Sequence, residues 1–191
     1  RSKISLMGGS PTKLLALDFD LTLTVTQVNE TTTVSDAVAI FGGKDRLDLL
    51  RSFLASLKDH GVEIIVVSWN LRRFIRPALA CAGLLPYISE IFDRPQVDAF
   101  SPGRGAAGKA LLMASLLTDR SVDPGDAVFV DDKSEVGLGM PCKFVCVSEA
   151  GVGRSEIGSI EAHLGMPRQR VSGVATNSTW GFDGVSAACG C

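Results

Sequence analysis

Three features are scarce in this chain: long apolar runs, an excess of charge of one sign, and paired cysteines. No apolar run approaches the ~20 residues that a membrane-spanning helix needs, so the sequence predicts no such span. The 19 Lys and Arg residues nearly balance 21 Asp and Glu, giving a formal net charge of −2. This balance argues against a strongly basic nucleic-acid binder or a polybasic membrane anchor.

The five cysteines form no CxxC pair and have no Cys/His metal-ligand spacing. Their odd number and apolar neighbours are typical of reduced, mostly buried thiols. Residues 1–12 contain no apolar segment of a secretory signal. Together these absences predict a cytoplasmic protein.

Apolar residues are plentiful and fall in short runs. Hydrophobic residues make up 46% of the 191 residues and charged residues 21%, which suits one globular domain with a substantial core. Continuous apolar runs are typical of strands that are buried on both faces of a parallel sheet. They predict strands over residues 13–18, 62–67, 88–92, 127–130 and 143–147.

Helical patterns separate these strands. Apolar residues recur at helical spacing over 44–60, and Gly61 supplies a stop. Other helices or helical turns are predicted over 36–40, 71–82, 110–117 and 156–164, whereas the Pro- and Gly-rich residues 94–108 predict an ordered loop. The alternation predicts an α/β fold, a Rossmann-like doubly wound parallel sheet.

Composition divides the chain into three parts. Residues 1–12 are aperiodic and predict an N-terminal arm. Residues 13–167 carry the strands and helices and predict one domain. Residues 168–191 are rich in Gly, Ser and Ala with few apolar anchors, which predicts a lightly packed tail.

Polar side chains follow the apolar strands or begin the helices. The first strand ends in Asp18-Phe19-Asp20, and Ser68 follows the second strand. Lys109 begins a helix, and Asp131-Asp132 follow the strand over 127–130. In open α/β sheets, ligands bind beyond the carboxyl ends of the strands. Clustered carboxylates there are costly unless a cation neutralises them.

Each of these residues, taken alone, has a simpler interpretation. A lone DxD is more often a polar strand end or an Asx turn, and a Ser at a strand end is often a helix N-cap. A single Lys at a helix start is usually exposed. The order of all the groups along one chain is what favours a shared site.

That order resembles the four motifs of the haloacid dehalogenase-like superfamily of phosphohydrolases. DFDLTLT resembles motif one, VVS motif two, Lys109 motif three and VFVDD motif four, over residues 13–135. The resemblance implies a phosphatase that cleaves a phosphomonoester through an aspartyl-phosphate intermediate, with Mg²⁺ as cofactor. Such a protein would act on a phosphorylated substrate.

The resemblance also implies catalytic roles. Asp18 would be the nucleophile, and Asp20 would protonate the leaving oxygen and then deprotonate the attacking water. Ser68 would donate a hydrogen bond to the phosphoryl group. Lys109 would offset the charge of the nucleophile and the phosphate.

Mg²⁺ would be held by Asp18, by the backbone carbonyl of Asp20 and by a carboxylate of motif four. We expect Asp132 to face the metal and Asp131 to orient Lys109, although the two could be reversed.

A cap domain often sets specificity in this superfamily, and the chain leaves little room for one. Residues 25–46 are too few for a helical-bundle cap, and residues 71–108 are mostly accounted for by the scaffold. We therefore expect little or no cap and an open site. Such a site suits bulky substrates, with phosphoproteins, nucleic-acid ends and small phosphoesters all remaining candidates.

Substrate contacts are expected near motif two, from Trp69, Asn70 and an arginine cluster. Asn70 is also a candidate N-cap for the next helix. The arginines could hold a second anionic group or could form a solvated helix face; they are Arg72, Arg73 and Arg76.

Two other functions share these residues. A phosphotransferase would pass the phosphoryl group to an acceptor other than water, and sequence cannot separate it from a hydrolase. A non-catalytic binding module on the same scaffold is disfavoured because Asp18, Asp20, Lys109 and Asp132 are all intact.

Overall fold

The computed structural model describes residues 13–102 and 106–167. Its sheet contains the strands β1 (Lys13–Leu17), β2 (Val62–Val67), β3 (Glu90–Phe92), β4 (Ala127–Asp131) and β5 (Lys143–Cys146). All neighbouring strands pair in parallel, in the order β3-β2-β1-β4-β5. The predicted parallel sheet is confirmed, and β2 has the bounds that its apolar run predicts.

Six α-helices connect and cover the strands of the described chain: α1 (Ala37–Ile40), α2 (Lys44–Asp59), α3 (Arg72–Cys81), α4 (Arg94–Phe100), α5 (Ala106–Arg120) and α6 (Arg154–His163). A cap would be inserted between β1 and α2 or between β2 and α5. Among the described residues, the first segment contains one short helix, α1, and the second contains α3, β3 and α4, which belong to the sheet and its covering helices. The expectation of little or no cap is therefore confirmed. The predicted arm and tail lie outside the described residues.

The prediction of an ordered loop over 94–108 is wrong, because α4 begins there. The side chain of Gln96 accepts a hydrogen bond from the backbone N–H of Asp93 at 3.1 Å, which closes the start of the helix. Pro95 lies in the first turn, where its missing N–H costs nothing. Val97 is fully buried and fixes the helix to the core.

Alternate residues of β1 enter separate cores on the two faces of the sheet. Leu15 and Leu17 pack with residues of α2, α3 and α6, whereas Leu14 and Ala16 pack with residues of α5. Burial on both faces is the reason that β1 is a continuous apolar run and not an alternating one.

The topology places two strand ends side by side. The chain steps outward from β1 to β2 to β3, and then crosses back so that β4 lies on the other side of β1. Leu17 is in register with Val130, and the backbone N–H of Asp18 donates to the Val130 carbonyl at 2.9 Å. Asp18 therefore lies beside Asp131 at the switch point of the sheet.

Two further expectations can be compared with the described chain. No helix in residues 13–102 and 106–167 is long and apolar enough to cross a membrane. Cys81 and Cys146 are exposed, so the expectation of mostly buried thiols is wrong for these two.

Candidate active site

The chain leaves β1 through a tight turn that brings Asp18 and Asp20 to one cavity. Leu21 adopts the left-handed conformation, with φ of 58°. The backbone N–H of Leu23 and that of Thr24 both donate to the carbonyl of Phe19 at 3.0 Å. Because the turn is tight, the carboxylates of Asp18 and Asp20 line the same cavity, which has a volume of about 480 Å³ and lies at the carboxyl ends of the strands.

Lys109 lies between two carboxylates. Its Nζ is 2.8 Å from Asp18 Oδ1 and 2.6 Å from Asp131 Oδ2, and all three side chains are buried. The contact between Lys109 and Asp131 is the one that the sequence predicts. Gly108, next to Lys109, allows α5 to pack closely on α4, because an added Cβ would lie 2.9 Å from the carbonyl oxygen of Val97 in α4.

The charges in this group compensate one another. Burial lowers the pKa of Lys109, but the nearby charges of Asp18 and Asp131 outweigh burial, and the net pKa is raised. Lys109 is therefore an ammonium at neutral pH. Burial raises the pKa of Asp131 to about 6, although Lys109 acts in the opposite direction.

Asp132 completes a cluster of carboxylates. One oxygen each from Asp18, Asp131 and Asp132 lie within 4.8 Å of one another. Burial and the charge of Asp18 raise the pKa of Asp132. Three carboxylates against one ammonium leave excess negative charge, which a cation can neutralise. Asp20 is outside this cluster, and its predicted carbonyl ligand remains a prediction.

Asp20 is held by two hydrogen bonds of its own. Its Oδ1 accepts from the backbone N–H of Val28 and its Oδ2 from the side-chain amide of Asn70, both at 2.8 Å. Burial raises the pKa of Asp20 to about 6, although the hydrogen bond from Val28 lowers it. A carboxyl group with this pKa can give and take a proton near neutral pH.

Asn70 contacts the site, and the prediction that it caps α3 is wrong. The N-cap of α3 is Leu71, with no capping side chain. The Asn70 amide instead donates to Asp20 and, at 2.6 Å, to the carbonyl of Val28. Asn70 therefore ties the loop after β2 to the loop after β1.

Ser68 and Trp69 also line the cavity. Ser68 is buried, and its Oγ accepts a hydrogen bond from the backbone N–H of Asn70 at 3.2 Å. Its hydroxyl proton remains available for a ligand oxygen. Lys109 Nζ lies 5.6 Å from the centroid of the Trp69 ring, so the ring covers one side of the ammonium.

The structure does not bring Arg72 to the cavity. Its guanidinium donates to the carbonyl of Ile91 and, at 3.0 Å, to the side chain of Gln96. Arg73 and Arg94 line the cavity instead. Sequence reasoning missed Arg94, and the Asp-x-x-Gln helix start after β3 is the signal that could have found it.

No family model and no curated protein matches this chain. Solved structures do match. The core domain of a Streptococcus pneumoniae protein proposed to be a phosphoglycolate phosphatase is 13% identical, with 81% of this chain and 98% of that chain covered and a TM-score of 0.50. A hypothetical protein from Xanthomonas campestris is 12% identical, with 82% and 85% covered and a TM-score of 0.50.

A third structure is the 3-deoxy-D-manno-octulosonate 8-phosphate phosphatase of Moraxella catarrhalis, in complex with magnesium, phosphate and its sugar. It is 16% identical, with 82% of this chain and 90% of that chain covered and a TM-score of 0.47. At 12–13% sequence identity, the similarity to the first two structures shows the fold alone. The chain thus has a Rossmann-like α/β fold like that of the Streptococcus core domain, as the resemblance of its motifs predicts.

Proposed function

We propose that this protein is a phosphohydrolase that cleaves a phosphomonoester through an aspartyl-phosphate intermediate, with Mg²⁺ as its cofactor. The observation that carries the proposal is the buried contact of Lys109 with Asp18 and Asp131, beside a separate, hydrogen-bonded Asp20. A nucleophile, a fixed positive charge and a proton donor thus line one cavity. The motif order and the similarity to the Streptococcus core domain also support it.

The carboxylates near the switch point fit a magnesium ion. They supply hard oxygen donors, with one oxygen from each of the three side chains within 4.8 Å of the others. Asp18, Asp132 and Asp131 would hold the ion. When bound, Mg²⁺ would neutralise the cluster and the charge of the phosphoryl group.

The reaction then needs two steps from the residues of the chain. An oxygen of Asp18 attacks phosphorus, the bond from phosphorus to the ester oxygen breaks, and Asp20 gives its proton to that oxygen. In the second step Asp20 takes a proton from water, and the water oxygen attacks phosphorus. The bond between phosphorus and the Asp18 oxygen breaks, which releases phosphate and restores the Asp18 carboxylate. Lys109 and Ser68 stabilise the negative charge on the phosphoryl oxygens in both steps.

We further propose that residues 13–167 form the phosphatase domain and that the protein works in the cytoplasm. Without a large cap, phosphoproteins, nucleic-acid ends and small phosphoesters could all reach the cavity. The choice among them depends on the cavity rim.

The test is phosphate release from p-nitrophenyl phosphate by the full chain, with Mg²⁺ and with EDTA. We expect turnover that needs the metal and falls by about 10³-fold or more in Asp18→Asn. Asp59→Asn, at the exposed end of α2, is the matched control and should retain full activity. Metal-dependent turnover that survives Asp18→Asn would reject Asp18 as the nucleophile. Adding an acceptor alcohol and measuring its phosphate ester separates transfer from hydrolysis.

A further inference from the structure

The cavity has a different charge at each end. Asp18, Asp132 and Lys109 line it where β1 and β4 end. Arg73 and Arg94 line it at the starts of α3 and α4, the helices that follow β2 and β3. A substrate whose phosphoryl group lies at Asp18 therefore extends its leaving group either toward the two arginines or out into solvent.

Arg94 is held in a fixed orientation. Its Nε donates to the carbonyl of Trp69 at 2.8 Å, and its backbone N–H donates to the carbonyl of Asn70 at 3.0 Å. Both bonds go to the loop that carries Ser68. Within residues 13–102 and 106–167, no group accepts a hydrogen bond from the two terminal amino groups of the guanidinium, whose planar geometry suits a carboxylate or a phosphate.

Arg73 is exposed and lines the same cavity, and its guanidinium carbon lies 4.9 Å from the centroid of the Phe74 ring. Phe74 lines the cavity as well. This distance allows a cation–π interaction, which stabilises the guanidinium without using its N–H donors.

Neither arginine is neutralised by an acid of the described chain. The ion pairs found among residues 13–102 and 106–167 do not include Arg73 or Arg94. Asp93, the neighbour of Arg94, instead accepts a hydrogen bond from the backbone N–H of Arg72 at 3.0 Å. Among the described residues that line the cavity, Glu30 is the one acid outside the DxD motif and Asp132, and it is on the loop after β1.

The third cation of the rim has a different environment. Lys133 Nζ lies 3.9 Å from Asp132 Oδ2, so part of its charge is already compensated beside the carboxylate cluster. The uncompensated positive charge of the rim is therefore at the ends of β2 and β3.

We propose that Arg73 and Arg94 bind a second anionic group of the substrate, and that the substrate is a small phosphoester whose leaving group carries a carboxylate or another phosphate. This inference rests on the proposed function. The cavity of about 480 Å³ holds a phosphoryl group and a compact leaving group together. Binding energy gained at the arginines orients the ester oxygen toward Asp20.

The experiment compares phenyl phosphate with its 3- and 4-carboxy derivatives, which differ only in the added anion. We expect kcat/KM of the full chain to be about tenfold or more higher for the better carboxy ester. That ratio should fall toward one in the double variant Arg73→Met/Arg94→Met. The ratio is compared between variants, so the intrinsic reactivity of each ester cancels.

Arg76→Met is the matched control, because Arg76 is an exposed arginine of α3 that does not line the cavity. It should leave the ratio unchanged. Arg73→Met alone keeps the test independent of folding, because it leaves the hydrogen bond from Arg94 to Trp69 in place, and we expect it to lower the ratio about threefold or more.

The outcomes distinguish this inference from the proposed function. Hydrolysis of phenyl phosphate with no change of the ratio in the double variant would overturn the anion site and leave the phosphatase intact. If the ratio falls equally in Arg76→Met, the effect comes from the net positive charge of the protein and not from the cavity arginines, and the anion site is also overturned. Failure to hydrolyse any of the three esters would overturn both.

Discussion

The side-chain amide of Asn70 donates to Asp20 Oδ2 at 2.8 Å, across a separation of 50 residues in the sequence. The same amide holds the carbonyl of Val28, whose backbone N–H donates to the other oxygen of Asp20. Asp20 is thus fixed by the loops after β1 and β2 together. Its position does not depend on the DxD turn alone.

Replacing Asn70 should alter the pH dependence of catalysis. The hydrogen bond from Asn70 lowers the pKa of Asp20, which burial raises to about 6. Asn70→Ala should therefore raise that pKa further. Protonation of the leaving oxygen needs the acid form, so kcat/KM falls as pH rises through this pKa. We expect the falling limb to move to higher pH and kcat to drop about tenfold or more.

The measurement is a pH profile of kcat/KM for wild type and Asn70→Ala at saturating Mg²⁺. A variant with lower activity but an unmoved profile would contradict this role and would indicate that Asn70 acts only on loop structure. Circular dichroism of both proteins reports whether the fold is retained.

Removal of Lys109 should damage both stability and activity. Lys109→Met leaves Asp18 and Asp131 buried without their ammonium, and breaking a buried ion pair in this way costs about 3–5 kcal/mol. We expect a lower melting temperature in EDTA, no measurable turnover, and partial recovery of the melting temperature in Mg²⁺. Lys143→Met, at an exposed position of β5, is the control. A melting temperature equal to that of the control would contradict the compensating role of Lys109.

Replacing Asp132 by Asn should raise the melting temperature without metal and lower it with metal. Its pKa is raised, so the folded state at neutral pH disfavours its charge. In EDTA, Asp132→Asn should therefore have a higher melting temperature than wild type. In Mg²⁺ the order should reverse, because a ligand is missing.

Differential scanning calorimetry at pH 7.5, with EDTA and with a Mg²⁺ titration, measures both effects. Asp59→Asn should behave like wild type in each condition. If Asp132→Asn retains the full Mg²⁺-dependent rise in melting temperature, Asp132 is not a metal ligand.

Two glycine-to-alanine substitutions should change the free energy of unfolding in opposite directions. At Gly108 the new Cβ would lie 2.9 Å from the Val97 carbonyl and 3.2 Å from Val97 Cγ1. Gly108→Ala should lose about 1–3 kcal/mol by overpacking and should lower activity by displacing Lys109. Gly158→Ala in α6 meets no atom within 4 Å, and it should gain about 0.5–1 kcal/mol from helix propensity.

Urea unfolding of both variants measures these differences, and the p-nitrophenyl phosphate assay shows the effect on the site. A Gly108→Ala protein as stable and active as wild type would show that α4 and α5 can separate without cost. A loss of stability in Gly158→Ala would contradict the open space around that position.

The sequence by itself determined the sheet and the polar residues at the carboxyl ends of its strands. The run over 62–67 predicts β2 because apolar periodicity is a local property of neighbouring residues. Asp18, Lys109 and Asp131 could be placed together because each follows a strand or begins a helix, and the carboxyl ends of parallel strands share one edge.

Tertiary structure decided which polar groups meet there. Arg46 of α2 donates to the carbonyls of Thr22, Leu23 and Phe41, and so braces the turn that carries Asp20, although nothing in its neighbourhood of the sequence indicates this. Asn70 donates a hydrogen bond to Asp20 and does not cap α3. Arg72 does not line the cavity, because its guanidinium donates to Ile91 and Gln96. Polar side chains form hydrogen bonds with groups that packing brings near from distant parts of the chain. Local sequence patterns do not predict these contacts, because the patterns depend only on neighbouring residues.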